Sequence, residues 1–290
     1  MKTKMRRFTV KDFNTKFPND DACLEWLKSS RWPDGITCPK CRKITKHHKV
    51  TGRQVYACDF CGHQVSPMAG TIMEKSATPL KLWFYAMYLM ASTRCGISAK
   101  QLERELGVTY KTAWRIFKQI RSMLSDNIVL EGSSVEADET YIGGRRRGKR
   151  GRGAEGKTIV FGLAQRKGKV IAKVVPNVQA NTLLPVIKEK VLESSIVYTD
   201  ELPSYDRLPK LGYQHKRIHH ASKVYVMGDI HTNTVDGFWS LVKRGISGVN
   251  HAVSAKYLQN YLNEYAFRYN RREQEEPMFE AFLSQLVVSR

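Results

Sequence analysis

The sequence predicts a mixed α/β domain preceded by a small metal-bound segment and a helix-turn-helix. Three observations carry this. Two CxxC pairs, Cys38/Cys41 and Cys58/Cys61, stand sixteen residues apart. A helical stretch follows between residue 79 and about residue 130. Beyond residue 131 the period changes to short β-branched strands interrupted by one helix-length segment. The 290 residues divide on this reading into 1–77 (metal ribbon and N-terminal region), 78–130 (helical, with the helix-turn-helix) and 131–290 (the α/β domain). The charge points outward: 48 Lys and Arg against 27 Asp and Glu give +21, a surface that attracts polyanions, which for a globular chain usually means nucleic acid.

Each element follows from its residues. Four thiolates in two tight turns close a tetrahedral shell, so Cys38, Cys41, Cys58 and Cys61 are expected to hold a structural Zn²⁺ and do no chemistry. A redox role is disfavoured because no thioredoxin-like βαβ pattern surrounds either pair. His47, His48 and His63 lie nearby and are expected to be solvated or to face DNA, while Cys23 and Cys95 read as ordinary reduced thiols. No run reaches the roughly eighteen apolar residues of a membrane span. The densest, 80–91, is broken by Lys81, and no apolar signal follows the basic start. The expected compartment is therefore the cytoplasm, with no membrane partner, where CxxC pairs favour metal over disulfide.

The first long helix, LKLWFYAMYLMAST, begins after Thr78-Pro79, an N-cap with proline at the first helical position. Helices over 97–106 and 109–124 are split by Gly107. Leu102 and Leu106, then Ala113, Ile116, Phe117 and Ile120, line their inner faces. Tyr110, Lys111, Arg115 and Lys118 are expected to project, as on a recognition helix in a major groove. The rival is a helical hairpin with a solvated basic face.

Strands are predicted at 133–138, 158–165, 169–175 and 194–200, with a turn at Arg166-Lys167-Gly168 and a helix at 181–192 between the last two. A strand around 214–220 and helices over 233–245 and 254–269 complete the chain. Tyr257, Tyr261, Tyr265 and Tyr269 recur every four residues as a packing stripe. Between the first two strands, GGRRRGKRGRG places Arg145, Arg146, Arg147, Lys149, Arg150 and Arg152 together without an acid, a run expected to contact phosphates.

Carboxylates at strand ends inside so basic a chain need a reason. Asp138 closes SSVEAD and Asp200 closes SSIVYTD. Asp236 lies on a helix with Asn233, Ser240 and Lys243 on the same face. Three such acids can hold two Mg²⁺ or Mn²⁺ ions against a phosphodiester. Glu139 and Glu201 are neighbours of the strand acids, and period-2 alternation sends neighbours to opposite faces, so one of each pair is expected to join. The aspartates are favoured because their alternation mates, Glu136 aside, are apolar or small.

The stretches CPKC, ACDFCGHQVSPMAGTIM, VEADETYIGGRRRGKRGRG, VYTDELPSY, HTNTVDGFWSLVKRGISGVNHAVS and LNEYAFRYNRR lie between residues 38 and 272, within a matching region that begins at about residue 25. They resemble bacterial insertion-sequence transposases of the DDE class that carry a zinc ribbon, insertion-sequence family fifteen-ninety-five. The resemblance implies a ribonuclease-H-like catalytic domain that cuts at inverted-repeat element ends and joins the 3′-OH to target DNA. It also implies a homo-oligomer on DNA, associated with the bacterial nucleoid. Carried over by position, Asp138 and Asp200 are the first two catalytic acids and Lys243 is the basic residue trailing the third. One departure stands out: Asp236 occupies a place where that branch usually has Glu, or in some members Asn. Aspartate sets its carboxylate back by about 1.3–1.5 Å, and Asn233 offers an alternative oxygen. The rival reading is therefore a zinc-ribbon and helix-turn-helix DNA-binding protein with a weakened or inactive catalytic domain.

Overall fold

The computed structural model describes residues 7–93, 96–143, 156–218 and 231–287. The chain forms two compact units, one from Met1–Met123 with Gln274–Arg290, the other Leu124–Glu273.

The first unit opens with α1 (Val10–Lys16), closed by a Thr9/Asp12 capping box, and α2 (Asp20–Arg31), capped by Asn19. Three short strands, β1 (His47–Lys49), β2 (Tyr56–Cys58) and β3 (Gln64–Val65), form an antiparallel meander. In α3 (Leu80–Ser92), Trp83, Phe84, Ala86, Met87 and Met90 are buried, as suits a helix that is apolar nearly all round. Its predicted cap falls one residue off: Pro79 holds the cap position without a side-chain bond, and the Lys81 N–H donates to Asp20 Oδ1 at 2.8 Å instead. The helix pair follows as α4 (Ala99–Leu106) and α5 (Tyr110–Met123). Ser98 caps α4, and Gly107 ends it in the left-handed conformation at φ 64°.

The last helix, α9 (Met278–Ser284), is not expected from the sequence, and residues 274–290, assigned there to the α/β domain, belong to this unit. The reason is aromatic packing. The Phe279 ring lies 5.8 Å from Phe13 and 6.1 Å from Phe17, and Lys16 Nζ bonds Glu280 at 2.9 Å.

The second unit is a five-stranded sheet in the order β6-β5-β4-β7-β8. β4 (Ser134–Ile142), β5 (Thr158–Gln165) and β6 (Val170–Val175) form an antiparallel meander. α6 (Ala180–Lys190) carries the chain across to β7 (Ile196–Thr199), parallel to β4, and β8 (Gln214–Arg217) lies parallel to β7. Three antiparallel strands followed by two parallel ones make a ribonuclease-H-like sheet, as the resemblance implied. Leu183 and Ile187 of α6 cover one face over Val135, Ala137 and Phe161. On the other face, α7 (Asn233–Gly245) and α8 (Ala255–Asn270) bring Phe238, Trp239, Val242, Leu262 and Tyr265 onto Val160, Ala164 and Ala172. Cover on both faces is why β5 reads as an almost unbroken apolar run.

One strand differs from expectation in a way that matters. β4 does not end at Asp138. Thr140, Tyr141 and Ile142 are strong strand formers, and they pair with Val160, Ile159 and Thr158. On its other side, β4 pairs with β7 only as far as Glu136↔Tyr198. Continuing that register sets Asp138 level with Asp200, just past the last paired residues. Among the described residues, no helix is long and apolar enough to cross a membrane.

Candidate active site and metal cluster

The cysteine turns are built alike. After each second cysteine, a residue with positive φ (Arg42 at 57°, Gly62 at 72°) turns its N–H back to the carbonyl of the first cysteine, both at 2.8 Å. The four Sγ atoms lie within 4.8 Å of one another. Cys38 Sγ stands 3.5 Å from Cys61 and Cys41 Sγ 3.9 Å from Cys58. A tetrahedron with 2.3 Å metal–sulfur arms has edges of about 3.8 Å, so the donor set fits a thiolate-bound ion without rearrangement. The Thr45 hydroxyl, 3.0 Å from Cys58 Sγ, leads the interactions that pull this thiol below its ordinary range, toward the thiolate a metal needs. His47 is not solvated as expected. It is buried, with Nδ1 2.8 Å from the Thr45 carbonyl, because β1 pairs it directly with Cys58. His48 is exposed, 2.6 Å from Asp59.

The carboxylates assemble from separate strands. Asp138, Glu139 and Asp200 each bring an oxygen to within 4.8 Å of the others. Alternation holds for the first pair: Asp138 Oδ2 accepts from Trp239 Nε1 at 2.9 Å on the α7 face, and Glu139 Oε2 accepts from the buried Tyr205 hydroxyl at 3.0 Å on the α6 face. The expectation that just one of them could join the cluster is nonetheless corrected. The longer glutamate side chain reaches around the strand to meet Asp138. Asp200 is buried and accepts from the Leu202 N–H at 2.9 Å.

Asp236 lies in the first turn of α7, where Thr232 Oγ1 donates to Oδ2 at 3.3 Å. It stands outside the 4.8 Å group but close enough to act on it. Burial, then Glu139, Asp236 and Asp200, push the Asp138 carboxyl up to about 7. Lys243 is exposed two turns further along the helix, about 10 Å on. Asn233, the alternative oxygen, is exposed at the start of α7.

Space for this arrangement comes from Gly162, the residue paired with Asp138 across β4 and β5. A Cβ there would sit well inside the contact distance of Trp239 Cζ2 and 2.7 Å from Cη2. Trp239, Gly162 and Tyr205 were not singled out from sequence. Only the WS dipeptide after Asp236 and a lone glycine inside a strand marked two of them.

The cations predicted to meet DNA divide three ways. Lys111 and Lys118 are exposed on α5. Arg115 is turned inward: its Nη2 donates to Ser76 Oγ at 3.2 Å and Thr78 Oγ1 at 3.0 Å, and its guanidinium lies 5.5 Å from the Trp83 ring centre. Arg145, Arg146, Arg147, Lys149, Arg150 and Arg152 lie outside the described residues.

Residues 129–270 match the family described as the ISXO2-like transposase domain, and residues 18–64 match the transposase zinc-ribbon domain. An uncharacterized protein in the transposable element ISH50 of Halobacterium salinarum is 32% identical over 273 residues, 87% of this chain and 91% of that one. An uncharacterized transposase-like protein of Haemophilus influenzae is 40% identical over 107 residues, 37% of this chain and 85% of its own. Among solved structures, a pre-cleavage Mos1 transpososome matches at 13% identity over 70% of this chain and 78% of the other, with a TM-score of 0.27. The Mos1 strand transfer complex matches at 12% identity over 71% and 77%, with a TM-score of 0.32.

Proposed function

Because this chain belongs to the zinc-ribbon, ISXO2-like transposase family, we propose that it cuts DNA at the inverted-repeat ends of its element and joins the freed 3′-OH to target DNA. The observation that carries this reading is the cluster of Asp138, Glu139 and Asp200, with Asp236 beside it. Acids crowded until one of them resists ionisation are half of a cation site, and oxygen donors suit a hard divalent ion. Bound there, Mg²⁺ or Mn²⁺ supplies Lewis acidity at the phosphodiester oxygens.

The residues of the chain position this chemistry. Trp239 fixes Asp138, the Leu202 N–H fixes Asp200 and Tyr205 fixes Glu139, so each acid has one oxygen committed to a protein donor. Lys243 and the cations of 145–152 neutralise phosphates around the acids, and Lys111 and Lys118 contact DNA from α5. Cys38, Cys41, Cys58 and Cys61 hold Zn²⁺, which shapes the ribbon and takes no part in the reaction. The chain acts as a homo-oligomer on its two element ends.

The test is cleavage and joining by the full chain on duplexes carrying the element's inverted repeats. Nicking and strand joining are expected with Mg²⁺. Asp200→Asn should reduce both to the level of buffer alone while binding to the ends survives, since a group that acts in the transition state adds little to docking. Wild-type cleavage by that variant, or in EDTA, would overturn the reading. Binding without any cutting would favour a zinc-ribbon and helix-turn-helix DNA-binding protein with an inactive catalytic domain.

A further inference from the structure

Two residues before Asp138, on the same face of β4, Glu136 is wholly buried at 0% exposure. A buried carboxylate without partners is strongly destabilising, so its partners decide its role. They come from the start of α7. The Thr234 and Val235 N–H groups donate to Oε2 at 2.7 and 3.0 Å, and the Thr234 hydroxyl donates to Oε1 at 2.9 Å. The helix has no side-chain cap of its own, since Thr232 makes none. Its unsatisfied N–H groups and positive dipole end are met by a carboxylate 98 residues earlier in the chain.

Arg166, at the end of β5, completes the device. Its Nε donates to Glu136 Oε1 at 2.9 Å and its Nη2 to the His231 carbonyl at 2.7 Å. The guanidinium lies 3.9 Å from the centre of the Tyr198 ring on β7, and the Arg166 N–H bonds the Ser134 carbonyl at 3.1 Å. His231 Nδ1 stands 3.3 Å from the same carboxylate oxygen. Three strands and the first turn of α7 therefore meet in one buried ion pair. Asp236 sits in that turn, one residue after Val235.

We propose that Glu136 and Arg166 are positioning residues for the metal site: they clamp the first turn of α7 onto β4 and thereby hold Asp236 against Asp138. The proposal rests on the reading of Asp236 as a metal-binding acid. A carboxylate carried on a helix reaches a fixed point only if the helix end is fixed, and the exposed Asp236 has no burial of its own to place it.

The test uses the full chain without DNA, with Mn²⁺ as probe and calorimetric affinity and amide exchange as readouts. Glu136→Gln puts an amide N–H₂ where Arg166 or the helix N–H groups need an acceptor. It should raise exchange across 231–239 while the β4 and β5 amides stay protected, and weaken Mn²⁺ binding by about tenfold. Asp236→Ala should weaken Mn²⁺ to a similar extent. The double variant should bind no worse than Asp236→Ala alone, because both act through one carboxylate. Unchanged exchange and affinity in Glu136→Gln, or losses that add in full, would overturn the clamp while leaving Asp236 in the site. Wild-type Mn²⁺ affinity in Asp236→Ala would instead remove Asp236 from the site, and the positioning role with it. If Glu136→Gln does not fold, Arg166→Lys goes through the same cycle. It keeps the charge and drops the Nη2 bond to His231, so it should give smaller changes of the same sign. No change in it would likewise reject the clamp.

Discussion

The four cysteines and the carboxylates are both clusters of metal-binding groups, and they are built in opposite ways. Each cysteine pair comes from one turn, and the turn's own N–H groups set its geometry at 2.8 Å. The sulfur spacing already has the dimensions of an occupied site. The carboxylates come from β4 and the end of β7, with Asp236 approaching on α7. Trp239 and Tyr205, far along the chain, orient Asp138 and Glu139, and Asp200 alone is held locally, by the Leu202 N–H. Burial first, and then the opposing charges of its neighbours, push Asp138 up to about 7. One site is assembled by local backbone geometry and gives the ribbon its reason to fold. The other is imposed by a finished fold on groups that repel.

The largest expected effect tests the first half of that contrast. Removing the metal, by chelation or by Cys58→Ser, withdraws binding free energy on the order of 10 kcal/mol from a segment with a very small core. Amides over 36–65 should then exchange freely while those over 134–175 remain protected, and metal analysis of the untreated protein should give one Zn²⁺ per chain. A ribbon that stays protected without metal would break the comparison.

A smaller effect sharpens the second half. Gly162→Ala puts a methyl group into the Trp239 ring, and the strand ladder leaves the ring little room to retreat. We expect a loss of about 1–3 kcal/mol in the 124–273 unit, typical of overpacking, seen as a lower denaturation midpoint at unchanged slope. Unaltered stability would mean that Trp239 is not held against Asp138 by close packing.

The same contrast governs what could be read from the chain. The cysteine cluster is legible because CxxC spacing is local, and the meander of β4 to β6 and the helices α3 to α8 because apolar periodicity is local too; α1 and α2 are not expected from the sequence. Neither α9 nor the place of 274–290 is legible, because nothing in that segment's own sequence says that Phe279 meets Phe13 and Phe17, more than 260 residues earlier. Glu139 was set aside by an alternation rule that holds for the backbone but does not limit a side chain with an extra methylene. Arg115 reads as an outward cation until Ser76, Thr78 and Trp83 are seen around it. Glu136 was passed over because its partners lie on a helix far along the chain, and a carboxylate that caps and one that binds metal look alike two residues apart.

The acid cluster is a strained, cation-demanding site built at a cost to the fold, and melting of the full chain reads that cost. Burial and three neighbouring acids hold the Asp138 pKa near 7, above the ~3.9 of an unfolded aspartate. The ionised group therefore opposes folding: its contribution to stability is fully present below ~3.9 and is lost as pH rises through about 7. Asp138→Asn keeps an acceptor for Trp239 Nε1 and removes the charge. At pH 8 without divalent metal this variant is expected to melt above the wild type in the transition of the 124–273 unit. The gap should shrink at pH 5, and Mn²⁺ should raise the wild type while leaving the variant where it was. A variant that melts below the wild type at pH 8, with both proteins responding equally to Mn²⁺, would contradict it.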